Sequence, residues 1–146
     1  MNLLFMCVAN SARSQLAEGM AKKILGTSVT IQSAGSKPSH VNPLAVAALK
    51  EVGVDAGPQS SKSCDDLSPQ FLDRLDYVIT LCAEEVCPIL ITKAKRLHWP
   101  LPDPANQPGT APDTTEEQLD RFRKTREEIA RRIKAFAQEK GLSIAG

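Results

Sequence analysis

Apolar and polar positions along this chain switch repeatedly between two periods. Residues 2–6, Asn-Leu-Leu-Phe-Met, form a short, nearly unbroken apolar run, which predicts a buried strand. From Ser14 to Leu25 the apolar residues Leu16, Ala17, Met20, Ala21, Ile24 and Leu25 recur at helical spacing, and Gly26 supplies a stop. Val29 to Ser33 reads as a second strand, ended by Ala34-Gly35. Pro43 opens a helix through about Val52, with proline in the first turn and Gly53 after its end. Asp76 to Leu81 predicts a third strand and Ala94 to His98 a fourth. A loop from Pro100 to Pro112 holds five of the ten prolines. It leads into a long amphipathic helix from Thr114 or Thr115 to about Lys140. Either threonine can cap it, and Glu117 stands three residues after Thr114.

Strands alternating with helices imply a parallel sheet with right-handed crossovers and helices on both faces. The expected fold class is therefore α/β, a three-layer sandwich, in one domain spanning residues 1–146. No internal repeat or low-complexity segment interrupts it. In such sheets ligands bind beyond the carboxyl ends of the strands, where the first strand turns into its helix.

Composition narrows the function. With 146 residues, 42% hydrophobic and 24% charged, the chain can fill one core. A formal net charge of +1 argues against a nucleic-acid partner. The apolar runs fall far short of a membrane span. The N-terminus lacks a basic flank and runs directly into a strand, so no signal peptide is expected and the cytoplasm is the expected compartment. In that compartment structural disulfides are rare, which makes Cys7, Cys64, Cys82 and Cys87 informative. Only Cys82 and Cys87 lie near one another, and His40 and His98 stand alone, so the spacing does not suit zinc. The thiols point to thiol chemistry.

At the expected switch point stands Cys7-Val8-Ala9-Asn10-Ser11-Ala12-Arg13-Ser14, a Cys-x5-Arg pattern followed by a hydroxyl. As bare spacing it is weak, but its position between strand and helix lets successive backbone N–H groups converge on an anion. Arg13 adds a planar fork matched to two oxygens of a tetrahedral oxyanion. Cys7 lies in that positive field, which favours its thiolate. Ser14 could simply cap the helix, or its hydroxyl could donate to the Cys7 sulfur. Asn10 suits a left-handed backbone and can brace the loop with its amide. The bland alternative, Cys7 as a small buried hydrophobe and Arg13 as a surface helix residue, leaves the placement of the pattern a coincidence.

The stretch Phe5 to Gly19 resembles the opening of the low-molecular-weight tyrosine phosphatase superfamily, and within it the thioredoxin-coupled arsenate reductases. Gln32-Ser-Ala-Gly35, Val41-Asn-Pro43, Val78-Ile-Thr-Leu-Cys82, Cys87-Pro88 and Asp103-Pro104 follow in family order, so the likeness covers essentially the whole chain. It implies a four-stranded parallel sheet of order 2-1-3-4. It also implies a general acid at Asp103, although Pro-Asp-Pro alone reads equally well as a turn. Cys82 follows the third strand, on the sheet edge expected to carry Cys7, and the intervening 83–86 segment suits a short mobile helix before Cys87. The resemblance supplies a sequence of events. Cys7 attacks arsenate while Asp103 protonates the leaving hydroxide, Cys82 attacks the Cys7 sulfur, and arsenite leaves. Cys87 then attacks Cys82, and thioredoxin reduces the Cys82–Cys87 disulfide. No bound cofactor is implied. Phosphate or sulfate should compete for the loop, and the protein is expected to act as a monomer.

Some family members bind potassium through Asn, Glu, Ser and Asp. Asn10, Glu18 and Ser33 match three of these, but Lys62 stands at the fourth, where its ammonium can replace the ion or make a surface salt bridge. Cys64 has no assigned role, and the stretch 106–113 is longer than usual. Two rivals remain. A phosphatase acting on tyrosine phosphate would not need Cys82 and Cys87. A phosphate-sensing module would keep the loop and Arg13 without needing the acid.

Overall fold

The computed structural model describes residues 1–83, 90, 92–105 and 115–144. Its strands are β1 (Asn2–Cys7), β2 (Thr30–Gly35), β3 (Leu75–Thr80) and β4 (Lys95–His98). All pairings are parallel and the order is β2-β1-β3-β4. The helices are α1 (Arg13–Leu25), α2 (Pro43–Lys50), α3 (Pro69–Asp73) and α4 (Thr115–Lys140). The expected α/β architecture and strand order are thus present.

The near-continuous apolar character of β1 follows from its central place. Leu3 and Phe5 face one layer, while Leu4 and Met6 face the other, and all four are fully buried. The first layer joins Ile31, Tyr77 and Ile79 of the sheet to Leu16, Met20 and Ile24 of α1 and Phe122, Ile129, Ile133 and Phe136 of α4. Trp99, just after β4, meets Phe136 edge-on with ring centroids 6.3 Å apart. The second layer is smaller, built from Leu4, Met6, Ala34 and Val78 against Leu67, Phe71 and Leu75.

The expected boundaries need small corrections. Helix α1 begins at Arg13 rather than Ser14, α2 ends at Lys50 rather than Val52, and β3 runs 75–80 rather than 76–81. Helix α3 was not expected. Its local signal is nonetheless clear: Ser68 caps it by accepting from Phe71 N, and Pro69 occupies the first turn. Helix α4 opens at Thr115; the alternative start at Thr114 lies outside the described residues. No helix among the described residues is long and apolar enough to cross a membrane.

Candidate active site

The turn from β1 into α1 is held open by what its carbonyls do. Val8 O accepts from Lys37 N, Ala9 O from Ser39 N and the Ser61 hydroxyl, and Ser11 O from Asn42 N. Asn10 O accepts from the Gln15 amide, and Ala12 O from Leu16 N at the start of α1. Five successive carbonyls are therefore bound by donors outside the loop, which suits a turn whose N–H groups face its concave side. Gly35, at the end of β2, permits the close approach this requires. A Cβ there would lie 2.3 Å from Val8 O and 2.9 Å from Cys7 O. Asn10 takes a left-handed backbone, with φ 48°, as its residue type suggested.

Within the loop the hydrogen-bond directions can be assigned. Asn10 Oδ1 accepts from Lys62 N at 2.9 Å, so Asn10 Nδ2 is the atom facing Ser14 and donates to its Oγ at 2.7 Å. The Ser14 hydroxyl thereby accepts one hydrogen bond and keeps its own hydrogen to donate. Its neighbour is Cys7 Sγ at 2.9 Å. Ser14 does not cap the helix: the cap position is Ala12, and Ser14 is completely buried inside α1. Of the two readings the sequence leaves open, the contact with the sulfur is the one present.

Arg13 is a buried residue rather than a surface one. Its NH1 donates to Leu101 O at 2.9 Å and reaches Leu81 O at 3.4 Å, while NH2 lies 4.0 Å from Asp103 Oδ2. One guanidinium thus touches the end of β3 and the proline-rich loop together. Asp103 Oδ1 accepts from Ala105 N, so the turn reading of Pro-Asp-Pro is also realised. Cys7, Ala9, Ser11, Ala12, Arg13, Ser39, Asp103 and Ala105 line one cavity of about 130 Å³. The sequence pointed to the loop and to Asp103 but not to Ser39 or Ala105. Both are small residues in loops, without a chemical signature.

Cys82 is buried next to this site. Leu81 N donates to Met6 O at 3.0 Å, so the chain leaving β3 is still paired with β1 one residue before Cys7. Cys82 is disulfide-bonded, whereas Cys7 and Cys64 are free thiols. Cys87 and the expected 84–86 part of a short helix lie outside the described residues, as does the long 106–113 stretch. Cys64 packs beside the smaller apolar layer and contacts Gly35 O at 3.7 Å. Burial and the nearby Asp65 carboxylate push its thiol up.

Behind the loop, Glu18 is a buried carboxylate. Its Oε1 accepts from the Ser33 hydroxyl at 2.6 Å and lies 3.8 Å from Lys62 Nζ, and its Oε2 accepts from Lys22 at 2.7 Å. With two ammonium groups on Glu18 and the Asn10 amide taken by Lys62 N and Ser14, these residues do not fit a potassium ion. The Lys62 pair is not a surface salt bridge either, because its carboxylate is buried.

Comparison with known proteins gives the family. The family model for low molecular weight phosphotyrosine protein phosphatases matches residues 2–143. An arsenate reductase from Halalkalibacterium halodurans is 44% identical over 138 residues, covering 93% of this chain and 94% of that one. A solved arsenate reductase in the phosphate-binding state is similar with a TM-score of 0.72 and 30% identity, covering 94% of this chain and 97% of its own. A thioredoxin-dependent arsenate reductase from Corynebacterium glutamicum is similar with a TM-score of 0.60 and 30% identity, over 92% of this chain and 62% of that one. This chain belongs to the low molecular weight phosphotyrosine protein phosphatase family, on the branch formed by the arsenate reductases.

Proposed function

We propose that the protein reduces arsenate to arsenite through a relay of Cys7, Cys82 and Cys87, with thioredoxin restoring the thiols. The observation that carries this reading is the placement of Cys82 immediately beyond Leu81, whose amide is bonded to the strand bearing Cys7. A phosphatase needs the nucleophile, Arg13 and an acid, but it has no use for a second thiol at that point.

The steps follow from the groups present. Arg13 and the loop hold the oxyanion in the cavity shared by Cys7 and Asp103. The Cys7 thiolate, receiving the Ser14 hydrogen bond, attacks As(V), and Asp103 protonates the departing hydroxide to water. Cys82, as thiolate, attacks Cys7 Sγ. The sulfur–arsenic bond breaks with its electron pair passing to arsenic, giving arsenite and a Cys7–Cys82 disulfide. Cys87 attacks Cys82 and frees the Cys7 thiolate, leaving a Cys82–Cys87 disulfide for thioredoxin, which supplies the two electrons consumed. The similar thioredoxin-dependent enzyme supports the choice of reductant.

Single-turnover assays with disulfide mapping separate the two downstream thiols. Cys82→Ser should release almost no arsenite. Cys87→Ser should release about one arsenite per enzyme and then stall as Cys7–Cys82, because exchange has lost its attacking thiol. Sustained thioredoxin-driven turnover by Cys87→Ser would remove Cys87 from the relay. Phosphatase activity in both variants, with no arsenite from the parent, would favour the phosphatase reading.

A further inference from the structure

Of the five loop carbonyls bound from outside, only that of Asn10 is held by the amide of a fully buried side chain, Gln15. Gln15 lies in the first turn of α1. Its Nε2 donates to Asn10 O at 3.0 Å and to Ser60 O at 3.0 Å, which uses both amide hydrogens. Its Oε1 accepts from Gln59 Nε2 at 2.9 Å. The 59–62 segment then contributes again, since Lys62 N donates to Asn10 Oδ1. Asn10 is thus gripped at its carbonyl and at its side-chain oxygen while its backbone is left-handed, a conformation asparagine tolerates and these bonds hold in place.

We infer that Gln15 is a positioning residue for the nucleophile: it clamps Asn10 so that the chain Asn10 Nδ2 to Ser14 Oγ to Cys7 Sγ can form. This rests on the reading of Cys7 as the nucleophile. The requirement is specific to glutamine's chemistry. The site needs two donors directed at carbonyls and one acceptor directed at Gln59. A glutamate would turn a carboxylate toward two carbonyl oxygens, and a methionine would fill the space without donating. The charged groups around Cys7 are left in place by a change at Gln15. Arg13 and Asp103 line its cavity, and Lys62 and Glu18 stand behind Asn10.

The test is iodoacetamide alkylation of the reduced protein at a single pH, about 6.5, with Cys7 and Cys64 followed separately by mass mapping. In the parent, Cys7 should react faster than Cys64. Gln15→Met should slow Cys7 by roughly tenfold, the worth of one hydrogen bond to a charged group. In a Ser14→Ala background the same substitution should change the rate by less than about twofold, because the chain is already cut. A purely structural role for Gln15 would lower the melting temperature in both backgrounds without this dependence on Ser14. Gln59→Leu, which removes the donor shared by Gln15 Oε1 and the Gln15 carbonyl, should slow Cys7 in the same background-dependent way, and it decides the matter if Gln15→Met does not fold. A parent whose Cys7 is no faster than Cys64 overturns the nucleophile reading and the clamp with it. A fast parent combined with unchanged variants, or with equal losses in both backgrounds, overturns the clamp alone.

Discussion

Asp103 shows how much a single residue can carry at this site. One carboxylate oxygen closes the turn onto Ala105 N while the other faces Arg13. Asparagine in its place keeps an oxygen for the turn but has no proton to give. Asp103→Asn should therefore leave arsenate affinity nearly intact and reduce turnover by about 10²–10⁴-fold, read from kcat and KM at the pH optimum. A variant with full turnover would exclude Asp103 as the acid. Lys62 carries a second expectation. With its ammonium beside Glu18, exchanging potassium for sodium at constant ionic strength should not alter activity, whereas Lys62→Asp should create such a response. Potassium stimulation of the parent would contradict the fit described above. Cys7, Arg13 and Ser14 were legible in the sequence because their residue types carry chemistry at a recognisable place, whereas Asp103 was singled out only by the family resemblance, since Pro-Asp-Pro reads equally well as a turn. Gln15, Ser39 and Ser61 were not, because they donate to carbonyls of the 8–12 loop, Gln15 from five residues along and Ser39 and Ser61 from other segments, and an amide or hydroxyl has no spacing that announces such a contact.

At the scale of elements, the sheet and its order were legible, since apolar runs and helical periods alternate along the chain. Short α3 was not. Five residues carry too little periodicity, and its apolar partners come from β1, β2 and β3. The α2–α4 junction was equally hidden, because it depends on a charge at an unfavourable place. Glu51 caps the C-terminus of α2, where a negative charge opposes the helix dipole. Arg123 and Arg126 of α4 offset this: Arg123 reaches both Glu51 oxygens, while Arg126 bonds Glu51 and Ala48 O. The hydrogen bond from Arg123 is the largest influence holding the Glu51 carboxyl below its ordinary value of 4.5. Glu128, bonded by Arg131 and then Arg132 within α4, is lowered to about 2. Because the folded state holds these carboxylates ionised, their contribution to stability is complete above about pH 4.5 and is lost as the pH falls through the lowered values. Glu51→Gln should melt a few degrees below the parent at pH 7, and the difference should shrink as the pH falls below about 4.5. A difference independent of pH from 7 to 3 would show that the arginine pairing is not its source.

For the whole molecule, one domain with one chemically equipped sheet edge is what the sequence implied, and the strand pairing gives that edge a property that distance in sequence conceals. Cys7 and Cys82 are separated by most of the two crossovers, and in a flexible chain bringing such positions together would carry a substantial loop-closure entropy. Here β1 and β3 are neighbours in register, with Met6 opposite Thr80 and Leu81 N bonded to Met6 O. Folding has already closed that ring. Under the proposed relay, a thiolate at position 82 would meet the sulfur at position 7 at the high effective concentration of adjacent strand ends. For the proposed relay, the sheet would thus favour internal resolution of the arsenic adduct over interception by a small thiol from solution.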